Sequence, residues 1–274
     1  MGTKLLEVAW HNGGWCRQMG WFAGRRSLRF ERFYAVFVSF RHPTAGPCLI
    51  DAGYGPSVWQ ASRRLPARAH RWATPLALPP TGSPRGVLQQ AGVDPASINR
   101  VFVSHFHVDH IGGLREFEGV PLVARPAALD ELRRLPEGQQ VHNGFLAGLV
   151  PDDFDTRCDA IDENAFAAND ELGGLASLDY FGDGSLLLVD LPGHAVGHTG
   201  YVFNTNKGRV FYVVDATWDV KVLQAGRRLP WISGWLQNDL AAYYQAQAVL
   251  RTLAAELSIV ACHCPTTQPR VGDH

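Results

Sequence analysis

The stretch HFHVDH at residues 105–110 decides the interpretation of this sequence, because it places four metal-ligand side chains within six residues. His105 and His107 are two residues apart on extended backbone, so their side chains can point to the same side. Asp109 and His110 begin the next turn and point towards an adjacent position. The stretch can therefore divide its ligands between two neighbouring metal ions.

Further ligand-type residues follow apolar runs that have the composition of buried strands. Residues 100–104 lead into the 105–110 stretch and residues 185–190 lead towards His194. Residues 209–214 lead into Asp215, and residues 257–262 lead into His263. Loops at strand ends are where a rigid scaffold presents reactive groups. Imidazole suits transition metals, and a carboxylate can bridge two cations. Four strand-like runs that each end in ligand-type residues predict one shared metal site.

Composition and charge restrict the class of protein. The chain has 274 residues, 46% hydrophobic and 19% charged, which is ordinary for a globular fold with a large core. The formal net charge of −1 gives no reason to expect nucleic acid or an anionic membrane as a partner. No secretory signal and no apolar run of membrane-spanning length is recognisable. With five cysteines, an odd number, we expect reduced thiols in a cytoplasmic protein.

The pattern along the chain predicts an α/β fold. Strand-like runs at 34–40 and 47–51 should pair through the turn between them, and the strongest helical periodicity covers residues 239–256. Residues 66–86 are interpreted as a surface connection. Residues 136–176 are loop-like and acidic, and we expect them to form a lid or loop insertion within a single domain of residues 1–274.

The ordered motifs HFHVDH, LPGHAVGH, FYVVDA and ACH resemble those of the metallo-β-lactamase-fold hydrolases. The resemblance implies an αββα four-layer sandwich with two metals at one edge. It also implies a ligand set, in which one ion is held by three residues, the other by three more, and a seventh bridges them. These are His105, His107 and His194 for the first metal, Asp109, His110 and His263 for the second, and Asp215 as the bridge.

Residues near the ligands receive supporting roles. Asp51 is expected to orient a ligand histidine or a nearby loop, because a ligating imidazole needs an acceptor for its other nitrogen. His198 is assigned to packing or to hydrogen bonding behind the ligands. Cys262 and Cys264 flank His263, and strand alternation predicts that both thiols face away from it.

Within the superfamily, the segment GDGSLLLVDLPGHAVGHTG is similar to the acyl-homoserine-lactone lactonases. Those enzymes usually carry Tyr three residues after the bridging Asp, where this chain has Trp218. An indole donates a hydrogen bond but offers no phenol, so the usual lactone specificity does not follow. Tyr54 is a candidate for the missing phenol. Several aromatic residues could line an apolar substrate pocket or belong to the core: Trp10, Trp15, Trp21, Phe22, Trp218, Trp231 and Trp235.

The predicted activity is hydrolysis of a lactone or carboxylic ester with a hydrophobic portion, by a hydroxide that bridges two divalent ions. Zinc is the expected metal, with Fe, Mn or Co as alternatives. Asp109 and Asp215 are the expected catalytic carboxylates, with Asp109 handling the proton of the leaving group. Two alternatives stay open: a phosphoester or phosphotriester hydrolase, and a non-catalytic metal-containing binding protein. The expected partner is a small molecule, and aromatics in the first 40 residues could form a homodimer surface.

Overall fold

The computed structural model describes residues 4–270, and its regular elements alternate between strands and short helices. The strands are β1 (Glu7–Met19), β2 (Phe30–His42), β3 (Gly46–Ile50), β4 (Leu76–Ala77), β5 (Arg100–Phe102), β6 (Leu122–Ala124), β7 (Cys158–Ala160), β8 (Ala167–Ala168), β9 (Ala176–Asp179), β10 (Leu186–Asp190), β11 (Thr199–Thr205), β12 (Gly208–Val214) and β13 (Ser258–Ala261). The helices are α1 (Ser57–Ala61), α2 (Ala67–Ala73), α3 (Pro84–Gln90), α4 (Val108–Ile111), α5 (Pro126–Arg134), α6 (Glu137–His142), α7 (Phe154–Arg157), α8 (Val220–Gln224), α9 (Trp231–Trp235) and α10 (Leu240–Leu253). Short 3₁₀ turns cover Gly20–Ala23, Pro95–Ser97, Leu114–Glu116, Ala147–Leu149, Glu163–Ala165, Asp170–Leu172 and Pro265–Arg270.

The strands of residues 4–270 form two mixed sheets. The first has the order β4-β1-β2-β3-β5-β6-β7, and the second has the order β13-β12-β11-β10-β9-β8. Strand β2 pairs antiparallel with β3, as the sequence predicts, and β3 pairs parallel with β5. In the second sheet β12 runs parallel to β13 and antiparallel to β11.

Both sheets bury both faces, which explains the apolar runs on consecutive residues. On β2, Val36 and Val38 face the second sheet, while Ala35 and Phe37 face the helices of the first layer. Because side chains alternate along a strand, one strand serves two cores. On the outer side of the second sheet, Leu250 of α10 packs with β12. The layers are helix, sheet, sheet and helix, so the predicted αββα sandwich is confirmed.

The ends of several strands meet at one edge of the molecule. Strands β3 and β5 are parallel in one sheet, and β10, β12 and β13 share a direction in the other. The chain leaves all five strands through loops at the same edge, which brings together residues far apart in sequence. The candidate site lies there.

Two segments differ from their sequence interpretation. Residues 66–86, predicted to be a surface connection, contain α2 and β4, and α3 begins at Pro84. The prediction of a loop-like 136–176 segment was also wrong, since it folds into α6, α7, β7, β8 and 3₁₀ turns. Phe145, Leu149 and Phe154 from this segment are fully buried. Short elements anchored by single buried residues carry too little periodicity to be recognised in a sequence.

Candidate metal centre

The first group of ligand atoms comes from His105, His107, His194 and Asp215, which lie within 4.8 Å of one another. His194 Nε2 is 3.1 Å from His107 Nδ1 and 3.3 Å from the Asp215 Oδ2 atom. These residues follow β5, β10 and β12, so two sheets supply one cluster.

The second group surrounds the same Asp215 carboxylate. His263 Nε2 lies 3.2 Å from Asp215 Oδ2 and 3.2 Å from Asp109 Oδ2. His110 Nε2 lies 3.5 Å from each of these two oxygens. The carboxylate of Asp215 is thus shared by both groups, and all seven predicted ligand residues converge.

The spacing of these atoms fits metal ions. Ligand atoms about 2.0–2.1 Å from a tetrahedral ion lie roughly 3.3 Å from one another, close to the separations found here. Within the described residues, three buried polar atoms of the cluster have no hydrogen-bond partner: His105 Nε2, His110 Nε2 and Asp215 Oδ1. Buried polar atoms without partners are costly, and a cation at the centre would satisfy all three. The donor set therefore fits a pair of divalent ions.

The opposite nitrogen of most of these imidazoles is held by a hydrogen bond. His110 Nδ1 is 2.7 Å from Asp51 Oδ2, and His194 Nδ1 is 2.9 Å from Gln237 Oε1. His263 Nδ1 donates to the carbonyl of Tyr34 at 2.8 Å. Each contact leaves Nε2 turned towards the cluster, which is how outer partners orient metal-binding histidines.

Asp51 organises the loop after β5 as well as His110. Its carboxylate accepts hydrogen bonds from the backbone N–H and the hydroxyl of Ser104, at 2.8 and 2.7 Å. Ser104 Oγ in turn lies 3.1 Å from His105 Nδ1. His198 Nδ1 is 3.0 Å from the carbonyl of Leu191, and its Nε2 accepts from the Asp215 backbone N–H at 3.2 Å. Both residues contact the cluster from behind the ligand atoms.

Backbone geometry also positions the ligands. Val214, directly before Asp215, has φ of 50°, a conformation that β-branched residues rarely adopt and that costs on the order of 1–3 kcal/mol. The pairing of β12 with β13 shifts register between Tyr212 and Val214. Gly193, before His194, has φ of 118°, and a Cβ there would collide with the backbone of Tyr243. The structure accepts this strain where it aims Asp215 and His194 at the cluster.

Burial sets the charge of the ligands. It lowers the pKa of His105 and His107, and neighbouring histidines lower both further. These imidazoles are neutral and can give a lone pair to a cation. Burial opposes ionisation of Asp215, but His263 and His110 outweigh it and hold the pKa of Asp215 well below its usual range. The carboxylate that the two groups share therefore carries a full negative charge.

A cavity of about 540 Å³ opens above the cluster. Its floor contains His107, Asp109, His194, Asp215 and His263. We call the remaining lining the cavity wall. It comes from β1 and the adjacent 3₁₀ turn, from β2, from the residues after β3, from α2, from α6 and the following loop, and from Trp218 and the α9 region. Its apolar members include Phe22, Phe33, Val141, Trp218, Ile232 and Leu236.

The wall also contains residues to which the sequence analysis gave no site role. These are His70 and His142. The aromatic candidates divide: Phe22 and Trp218 line the cavity, whereas Trp10 packs edge-on against Tyr212 in the core. Nothing in the sequence near His70 or His142 marks them as cavity residues, because α2 and α6 reach the cavity only through tertiary packing.

Tyr54 lines the cavity, and burial raises the pKa of its phenol well above the usual range. Cys262 corrects another expectation, because its Sγ lies within 4.8 Å of ligand atoms of His110, Asp215 and His263. Strand alternation does not apply to it, since β13 ends at Ala261. The Cys262 sulfur accepts the N–H of Val36 at 3.2 Å. Cys264 packs away from the cluster, as expected.

Comparison with protein families identifies the class. The metallo-beta-lactamase superfamily model matches residues 38–254, and the chain belongs to this superfamily. A metallo-hydrolase, mfmC of Annulohypoxylon moriforme, is 32% identical over 51% of this chain and 36% of its own length. The N-acyl homoserine lactonase AttM of Azorhizobium caulinodans is 29% identical over 65% of this chain and 62% of its own length. The chain thus matches less than two thirds of either relative.

Solved structures show the same fold. An N-acyl homoserine lactone hydrolase with N-hexanoyl-L-homoserine at its metal centre superposes with a TM-score of 0.74 at 14% identity, covering 98% of this chain and 96% of that one. AidC, a dizinc quorum-quenching lactonase, gives a TM-score of 0.66 at 17% identity, covering 97% and 90%. The predicted membership of the metallo-β-lactamase superfamily is confirmed, and the predicted similarity to its lactonase-like members is found in both sequence and fold.

Proposed function

We propose that this protein hydrolyses a lactone or carboxylic ester that carries a hydrophobic portion. One observation carries the proposal: a double cluster of metal ligands forms the floor of a cavity whose wall is mainly apolar. Pockets of a few hundred Å³ with an apolar lining and a few polar groups suit small organic substrates. The likeness to the lactonase AttM supports the same substrate class.

We assign the seven residues as metal ligands. The first ion is bound by His105, His107 and His194, the second by Asp109, His110 and His263, and Asp215 binds both. Zinc suits this mixed imidazole and carboxylate set, as do Fe, Mn and Co. Asp109 is preferred to Cys262 as a ligand, because it lines the cavity and its Oδ2 lies beside His110 and His263. The Cys262 thiol is engaged by the backbone of β2 instead.

When bound, the two divalent ions supply a hydroxide nucleophile from water near neutral pH and positive charge for the developing oxyanion. The protein's own groups orient the reaction. Asp51, Gln237 and the Tyr34 carbonyl hold three imidazoles in place. Asp109 lies at the cavity floor, where its ionised carboxylate can accept the proton of the hydroxyl group added to the substrate carbon and pass that proton to the leaving alkoxide.

Two buried polar atoms of the wall have no partner within residues 4–270, the Nδ1 of His70 and the Nε1 of Trp218. Burial lowers the pKa of His70, and the charge of Asp109 opposes this only in part, so the imidazole is neutral at pH 7. Trp218 can only donate a hydrogen bond, whereas a neutral imidazole can donate or accept. We assign these two atoms to the polar groups of the substrate.

A phosphoester or phosphotriester hydrolase is the second candidate. The same metal ligands would serve it, but among the residues that the structure describes the cavity lining contains no Lys or Arg that could bind phosphate oxygens. A neutral carbonyl substrate is therefore favoured.

A panel of aryl esters, lactones and aryl phosphates tests the proposal on zinc-loaded protein. We expect turnover of lactones or esters, higher for longer acyl chains. Absence of turnover with every carboxylic substrate would contradict the proposal, and turnover of phosphates alone would establish the second candidate. If wild-type protein and an Asp215→Ala variant were equally inactive throughout, the protein would be a metal-containing binding protein.

The two wall atoms are tested by His70→Phe and Trp218→Phe. Each loses one hydrogen bond to the substrate, so kcat/KM should fall about tenfold with bound metal unchanged. His142→Phe is the matched control, because its ring also lines the cavity but packs against Trp235. An equal loss in the control would assign the effect to packing.

A further inference from the structure

Three segments that line the cavity have an unusual charge. Residues 17–30, 59–72 and 227–236 contain ten arginines and no Asp or Glu. The whole chain has 25 basic and 26 acidic residues, so the rest of it carries 15 basic and 26 acidic ones. The net charge of −1 therefore conceals a separation of charge within the molecule.

The same segments hold most of the exposed large apolar side chains. Of the ten such side chains among the described residues, eight belong to these segments: Leu28, Phe30, Trp59, Leu65, Trp72, Trp231, Trp235 and Leu236. Trp231 is 77% exposed and Leu28 is 75% exposed. Exposed apolar side chains that cluster in this way mark an interaction site.

The three segments surround one opening. Phe22, Ala69 and Ile232, one from each segment, line the cavity. Gln18 Nε2 donates to the carbonyl of Ala73, just beyond the second segment, at 2.8 Å. The 3₁₀ turn Gly20–Ala23 contacts α9, and α6 contacts α2. We call the exposed residues of the three segments the mouth surface.

Most of the arginines have no acidic partner. Among the ten, and within residues 4–270, only Arg25 forms ion pairs, with Glu31 and Asp219. Others lie over aromatic rings: Arg68 over Trp72 and Arg71 over Trp59, at 5.0 and 5.6 Å. Guanidinium groups beside exposed indole rings are typical of surfaces that enter the boundary between lipid headgroups and acyl chains.

We propose that the mouth surface binds an anionic phospholipid membrane, so that the cavity opens towards the lipid. The arginines match the negative headgroups, and the exposed Trp and Leu side chains gain by entering the interface. Leucines do not stack on bases, which disfavours nucleic acid. A second copy of the chain would bring two positive surfaces together, which disfavours self-association through this face. A substrate with a hydrophobic portion would then enter from the lipid.

Vesicle sedimentation of the intact protein tests the proposal without measuring turnover, so its failure is distinct from failure of the proposed hydrolysis. We expect binding to phosphatidylglycerol vesicles and little binding to phosphatidylcholine vesicles. Because exposed charges are screened by salt, binding should weaken at high ionic strength. Brominated lipid should quench the tryptophan fluorescence of the bound protein.

Matched variants locate the contact. Since each basic residue near an anionic surface contributes roughly fivefold to binding, Arg63→Gln/Arg64→Gln should weaken it about 30-fold. The control Arg41→Gln/Lys207→Gln makes the same charge change away from the mouth surface. Arg41 lies at the end of β2 farther from Phe30, and Lys207 precedes β12, whose other end leads to Asp215. The control should have little effect on binding. Leu65→Ala should weaken binding, whereas Leu5→Ala, also an exposed leucine outside the three segments, should not.

Several outcomes would overturn the proposal. The first is that the protein does not sediment with anionic vesicles. The second is that vesicle binding falls equally in the variants and in their controls. The third is that the protein binds an acidic polymer but not vesicles. A dimer in analytical ultracentrifugation that Leu65→Ala dissociates would assign the mouth surface to a second copy instead.

Discussion

The floor and the wall of the cavity are built in different ways. The floor consists of ligand residues in short loops at strand ends, and outer hydrogen bonds hold His110, His194 and His263. The wall is assembled from β1, α2, α6 and the α9 region, which contribute mainly apolar side chains. A rigid polar floor suits chemistry, which needs fixed geometry, whereas an apolar wall suits selection among substrates. Changes in the floor should therefore affect metal and turnover, and changes in the wall should affect specificity.

The largest effect is expected for Asp215→Ala. Its carboxylate lies 3.2–3.5 Å from His110, His194 and His263, so its loss should disrupt both metal positions. We expect bound metal, measured by elemental mass spectrometry, to fall below two ions per chain, and kcat/KM to fall about 1,000-fold or more. Asp130→Ala, on the exposed side of α5, is the control and should retain both. If Asp215→Ala still bound two metal ions per chain, Asp215 would not be the bridging ligand.

A smaller effect is expected for Asp51→Ala. The change leaves His110 Nδ1 and Ser104 without their acceptor while every ligand stays in place. Metal affinity should fall about 10–100-fold, as measured by competition with a chelating dye. Asp51→Asn, which keeps one acceptor oxygen, should lose less. Unchanged affinity in Asp51→Ala would show that the floor does not depend on its outer hydrogen bonds.

The wall is tested by Phe22→Ala and Ile232→Ala, which remove apolar contacts from the cavity. We expect kcat/KM for long-chain substrates to fall about tenfold, with little change for short ones and none in bound metal. Ile259→Ala, half-buried on the other side of the second sheet, is the control. Loss of metal in either wall variant would break the separation between floor and wall.

The smallest effect is expected for Cys16→Ser, which replaces a buried thiol of the cavity wall with a hydroxyl of similar size. Burial raises the pKa of Cys16 to about 12, so the thiol stays protonated and unreactive between about pH 7 and 9. The variant should keep kcat/KM within about twofold and the same pH profile. An activity of the wild type that rises with pH in this range and is absent from Cys16→Ser would identify a thiolate role instead.

The mouth surface is a feature that the net charge of the sequence could not predict. The net charge of −1 led to the expectation of no membrane partner, because a sum does not record position. In the tertiary structure, three segments that together contain ten arginines and eight exposed apolar side chains each contribute residues to the lining of one cavity. That arrangement depends on contacts between segments up to about 200 residues apart, such as the 3₁₀ turn Gly20–Ala23 with α9.

Residue types and strand patterns along the chain predicted an α/β fold and one shared metal site, because ligand type and strand alternation are local properties. The superfamily, its layered sandwich and the seven ligand residues came from the resemblance of the ordered motifs. Three features became visible only in the folded molecule: His70 and His142 line the cavity, Gln237 holds His194, and Cys262 turns towards the cluster. These positions follow from packing between distant elements, or from the residue at which a strand ends, and no short-range pattern encodes either.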